Sequence, residues 1–127
     1  MIVVDASVLI GHFDAADAHH DRATRLLQKA GEPLGASPIS IAEVLVGPAR
    51  AGQLDRATGA LRELDVASVD FDQQASAGLA VLRARTNLKM PDCCVLLAAG
   101  QVNGRIATFD GRLRSAAREL GIVVQDP

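Results

Sequence analysis

The chain has no tryptophan, no tyrosine and only three phenylalanines among 127 residues. RRM-like and OB-like modules hold bases by stacking them on aromatic rings, so a nucleic-acid contact here is not expected to rest on such a platform. The core must instead be packed with Ala, Val, Leu and Ile, because apolar residues make up 49% of the chain and aromatics 2%. Cysteine is scarce too. Cys93 and Cys94 are adjacent, a spacing at which a disulfide is strained, and no third cysteine exists for a framework or a zinc quartet. They are expected to pack as small apolar side chains. No apolar run approaches the roughly 20 residues that cross a bilayer. Met1-Ile2-Val3-Val4 leads straight into Asp5 with no basic segment, so a cytoplasmic protein without membrane contact is the expectation.

Neither sign of charge dominates. Thirteen Lys and Arg face fifteen Asp and Glu, a net −2 that argues against a nucleic-acid binder. Its distribution matters more. With Asp5, Glu43, Asp92 and Asp110 set aside as a cation site, the cations lead thirteen to eleven. Arg112, Arg114 and Arg118 follow Asp110, and Arg83, Arg85 and Lys89 precede Asp92. Such runs are equally consistent with a solvated helix face.

The length fits one domain over residues 1–127. Met1–Val4 is an unbroken β-branched run, as in a strand buried on both faces. A short helix over Ala6–Phe13 is expected next, then a helix from Asp17 to Ala30 with Ala23, Leu26, Leu27 and Ala30 at helical spacing. Leu34–Ala36 reads as a strand, and Ser37-Pro38 as the cap and first residue of a helix that weakens at Gly47-Pro48. Gln53–Leu64 is a further helix, Ala67–Phe71 a strand, and Asp72 the cap of a helix over Gln73–Arg85. Pro91-Asp92 opens an apolar helix over Cys93–Val102 that Asn103-Gly104 ends. Arg105–Phe109 reads as a strand, Leu113–Leu120 as a helix and Ile122–Val124 as a last strand. Strands alternating with helices predict an α/β fold, a mostly parallel sheet with helices on both faces.

In such a sheet the functional crevice lies beyond the carboxyl ends of the strands. Asp5 closes the first strand and Asp110 follows the Ile106–Phe109 stretch. Each has an ordinary alternative, a helix cap for Asp5 and an Asp-Gly turn for Asp110. Asp92 at a helix start can equally be an N-cap. Glu43 interrupts the stripe Ile39, Ala42, Val46, so it is expected to be a buried charge unless it reaches solvent at the stripe's edge. Four carboxylates a few ångströms apart repel by roughly 1–4 kcal/mol per pair. Such a group is tolerated chiefly around a cation, and all-oxygen donors favour Mg²⁺ or Mn²⁺ over zinc. His12, His19 and His20, in an exposed polar segment, read as part of a solvated helix start.

The segments IVVDASVLI, SPISIAEVLVG, MPDCCVLLAAG and IATFD, in this order and spacing, resemble the four acidic motifs of PIN-domain ribonucleases. The likeness covers essentially the whole chain and is nearest to VapC, the toxin half of VapBC toxin–antitoxin pairs. It implies that Asp5, Glu43, Asp92 and Asp110 are the metal-binding catalytic acids, with Ser7 and Thr108 as supporting hydroxyls. It further implies an endonuclease acting on RNA, a VapB antitoxin that blocks the site, and a homodimer. Many members carry another acid shortly after the position of Asp110. Gly111, Arg112, Leu113 and Arg114 stand there instead, which narrows the expectation to one well-held ion. Arg112 and Arg114 are candidates for phosphate contacts. An aspartyl-phosphate phosphatase and an inert PIN-like interaction domain are the competing readings, and Ser7 stands where the phosphatase chemistry usually has its second acid.

Overall fold

A computed structural model describes residues 1–127. Five parallel strands form one sheet: β1 (Ile2–Val4), β2 (Leu34–Ala36), β3 (Val66–Ser68), β4 (Arg105–Ala107) and β5 (Val124–Gln125), in the order β3-β2-β1-β4-β5. Seven helices flank it: α1 (Ala6–Phe13), α2 (His20–Lys29), α3 (Pro38–Arg50), α4 (Leu54–Glu63), α5 (Ala75–Thr86), α6 (Met90–Val102) and α7 (Gly111–Glu119). None is long and apolar enough to cross a membrane.

The apolar run of β1 fills both faces at once, because successive strand residues point to opposite sides. Ile2 and Val4 join Val8, Leu9, Ala23, Leu26, Leu27 and Leu61 on the side of α1, α2 and α4. Val3 joins Val95, Leu96, Ile106, Leu113 and Ala117 on the side of α6 and α7. β4 divides in the same way, with Ile106 on one side and Ala107 on the other. The expected doubly covered parallel sheet is thus the observed one.

Element boundaries differ where local polar chemistry competes with helix formation. α2 begins at His20, because the side chains of Asp14 and Asp17 take the amides of Ala16 and His19 and hold residues 14–19 in turns. α3 runs unbroken to Arg50, since Pro48 falls in its last turn. β3 ends at Ser68, one further amide bond running from Val69 to Ala36. Asp72 accepts the Gln74 amide in a turn before α5 and does not cap the helix. α6 starts at Met90, with Lys89 at its cap position, so Asp92 lies inside the first turn. β5 is Val124–Gln125, shifted two residues from the expected start.

Register positions the site. Val4 pairs with Ala107, which sets Asp5 level with Thr108 one residue beyond the ends of β1 and β4. From β1 the chain passes to β2 on one side, whereas β4 lies on the other, so the β1–β4 boundary is where the winding reverses and a crevice opens. The pairing depends on Gly104, just before β4, where a Cβ would stand 2.8 Å from the Met1 carbonyl oxygen. That carbonyl accepts the Arg105 amide at 3.0 Å. Gly104→Ala should therefore force β1 and β4 apart and lower the unfolding free energy by about 1–3 kcal/mol, read as a lower urea midpoint with an unchanged m-value.

Candidate metal centre

Asp5 is the fixed point of the crevice. It is 5% exposed, and its neighbours hold both carboxylate oxygens. Oδ1 accepts the Ser7 hydroxyl at 2.6 Å and the Val8 amide at 3.2 Å, while Oδ2 accepts the hydroxyl of the fully buried Thr108. Thr108 Oγ1 in turn accepts the Asp110 amide at 2.9 Å, and Ser7 Oγ accepts the Phe109 amide at 3.1 Å. The two hydroxyls thus lace the end of β1 to the Thr108–Asp110 turn. Asp5 is also the N-cap of α1, so its capping and crevice-facing positions coincide.

Asp110 is exposed and caps α7, its Oδ1 accepting the amides of Arg112 at 2.8 Å and Leu113 at 3.1 Å. Asp92 is half-buried and lies in the first turn of α6 without capping it, so the N-cap explanation does not hold. Glu43 corrects an expectation. It is exposed, and Ile39 and Val46 on its stripe are 39% and 44% exposed. α3 instead turns Ser40, Ile41, Val44 and Leu45 inward, so no buried apolar stripe is interrupted.

The acids are nonetheless coupled. Burial raises the pKa of Asp5 most; hydrogen bonds from Ser7, Thr108 and Val8 oppose it, and Asp110 adds to it. Asp92 is raised by burial and then by Asp110, Asp5 and Glu43, with Lys89 acting the other way. Glu43 is raised by partial desolvation and by Asp5. Asp5, Glu43 and Asp92 are thus each raised in part by a neighbouring carboxylate at the same sheet edge. No three acidic, His or Cys side chains are gathered closely enough, as placed, to enclose an ion. The fit to a cation is chemical: hard carboxylate and hydroxyl oxygens, like charges in mutual repulsion, and a buried acid already braced.

Arg114 departs from its expected role at phosphate. It is half-buried, donates to the Thr108 carbonyl at 3.1 Å and leaves its Nε buried without a partner, so it ties α7 to the end of β4. Arg112 is exposed and, with Arg85, lines an open groove of about 780 Å³ that begins at Asp110. Burial raises both thiols, and Cys93 and Cys94 pack in the core as expected.

The histidines do more than solvate a helix start. His12 Nδ1 bonds Thr24 Oγ1 at 2.8 Å and His20 Nδ1 bonds the Gly11 carbonyl at 2.9 Å, fastening α1 to α2. His19 stacks on Phe109 with centroids 4.1 Å apart, and the Arg22 guanidinium lies 5.3 Å from the same ring. Sequence reasoning missed this cluster. Its only sequence signal is the phenylalanine beside Asp110, since its partners come from the distant start of α2.

A parallel α/β domain with coupled acids at its winding reversal defines the class. The model of the PIN domain matches residues 2–119, and the chain belongs to that family. Its fold is shared by VapC20 of Mycobacterium tuberculosis, a sarcin-ricin loop cleaving toxin, at TM-score 0.75 and 21% identity over 100% of both chains. FitAcB from Neisseria gonorrhoeae superposes at TM-score 0.74 and 20% identity over 98% of this chain and 96% of its own. A toxin–antitoxin complex from Klebsiella pneumoniae gives 0.69 and 23% over 87% of both chains. At these identities the likeness is one of fold. No curated protein sequence matches the chain significantly.

Charge repulsion gives a test. Since the folded-state pKa of Asp92 is raised, its charge costs stability above that pKa, and the cost disappears as pH falls and the carboxylate protonates. Asp92→Asn should raise the Tm of protein in EDTA at neutral pH by about 2–4 °C. The gap should close on acidification, and added Mg²⁺ should stabilise the wild type more than the variant, all measured by thermal melts.

Proposed function

We propose that residues 1–127 act as one nuclease domain, a metal-dependent endoribonuclease of the VapC toxin kind that a VapB-type antitoxin holds inactive. The observation that carries this reading is the buried Asp5 carboxylate, braced by Ser7 and Thr108 at the sheet edge where the winding reverses, with Thr108 also holding the Asp110 amide. Asp5 and Asp92, with Glu43 and Asp110 at the rim, would hold Mg²⁺ or Mn²⁺. Such an ion, when bound, supplies neutralisation of charge on the phosphate oxygens and a lowered pKa for water.

The chain's own residues do the rest. Ser7 and Thr108 keep the Asp5 carboxylate from rotating, Asp110 orders the start of α7, and a carboxylate not engaged by the ion accepts the proton of the attacking water. Arg112 in the open groove contacts substrate phosphate. Exposed apolar side chains on α1 and α3, among them Ile10, Phe13, Ile39 and Val46, support an antitoxin or homodimer contact. The phosphatase reading is weakened because Ser7 stands where that chemistry usually has its second acid.

Incubation of total RNA with the purified protein and Mg²⁺ should yield discrete cleavage ends that EDTA and Asp5→Asn abolish. Thr108→Val, which removes the brace and keeps the acid, should cost about 10–100-fold in activity. Full cleavage by Asp5→Asn in a clean preparation would sink the proposal. Absence of metal binding by calorimetry would favour the inert interaction domain.

A further inference from the structure

The stack beside the acids continues into a cationic face that the proposed chemistry does not use. His19 is exposed and lies at 9° to the Phe109 ring, and the Phe109 amide is held by the same Ser7 hydroxyl that holds Asp5. The ring pair is therefore fixed to the crevice through one side chain. Arg22 shares the Phe109 ring, and Arg22, Arg25 and Lys29 line one groove of about 270 Å³ whose only acid is Asp126. These three cations recur at helical spacing along about 10 Å of α2. Like charges three and four residues apart destabilise a helix. The two ion pairs between charged groups of the chain both involve Glu32, so Arg25 and Lys29 have no carboxylate partner. Arg22 donates twice to the Pro127 oxygen, which fixes its guanidinium, while Arg25 and Lys29 make no such contact.

We infer that this face of α2 is the track for the single-stranded RNA flanking the scissile phosphate. One base stacks on the outer face of His19, and the following phosphates lie along Arg22, Arg25 and Lys29. The inference rests on the ribonuclease reading and assigns it a substrate-binding surface. An acidic protein partner would also meet cations here. The ring pair at the crevice end favours a nucleic acid, because a base offers a flat face where an acidic side chain offers none.

The test uses the Asp5→Asn protein, so that bound RNA stays intact, and fluorescence anisotropy of labelled single strands across a salt series. A strand of about a dozen nucleotides should bind more tightly than one of about four, which reaches only the crevice. Replacing Arg22, Arg25 and Lys29 together by Gln should erase that difference and flatten the slope of log affinity against log salt by about 2. Arg25→Glu alone should act in the same direction, and both should melt as the parent does. His19→Ala should weaken the longer strand by about fivefold or more, with His19→Phe restoring it. A triple variant that keeps the parent's length preference and salt slope overturns the track, as does one that loses only an acidic protein partner. Should the wild type cleave RNA while this holds, the track alone falls. Should the wild type neither bind nor cleave RNA, the ribonuclease reading falls and the track with it.

Discussion

The structure turns on one buried carboxylate. Asp5 ends the central strand, where an unpaired charge costs several kcal/mol unless it is hydrogen-bonded or bound to a cation. Ser7, Val8 and Thr108 supply three donors, and the two hydroxyls also join β1 to the end of β4 where the winding reverses. The position of the crevice, the start of α1 and the path of the chain after β4 all follow from satisfying this group. Burial still wins over the hydrogen bonds in setting its pKa.

The ordinary and functional readings of the acids turn out to be compatible. Asp5 and Asp110 both cap helices, and the positive end of a helix dipole offsets part of the repulsion among neighbouring carboxylates. Helix starts at the carboxyl edge of a parallel sheet thus provide positions where several acids can stand together at tolerable cost. Asp92 is different. It caps nothing, and against its repulsion by three other acids stand Lys89 and the positive end of α6, in whose first turn it lies.

Much of this was legible in the sequence, for physical reasons. β1 was readable because an unbroken β-branched run before an acid has few other uses, and the order of elements followed from alternating apolar runs and helical spacings. Boundaries slipped where Asp side chains captured backbone amides, as at Asp14, Asp17 and Asp72. Glu43 was misjudged because a helical stripe of Ile39, Ala42 and Val46 looks the same whether it faces the core or solvent. Arg114 was misjudged because sequence proximity to Asp110 says nothing of which way a guanidinium turns. The His19–Phe109 pair was invisible, being a contact between segments far apart in the chain.

Scarcity of aromatic residues shapes the molecule in a second way. Layers packed with Ala, Val and Leu let α1 and α2 approach closely, and a Cβ on Gly11 would stand 3.4 Å from that of Ala23. The phenylalanines are then free for positions other than the core. Phe13 is 43% exposed on α1, and Phe109 is half-buried beneath His19 at the crevice. A chain with so few rings thus places one at its surface and another beside its acids. Low aromatic content therefore excludes a broad stacking sheet, while a single ring pair at the rim remains compatible with it.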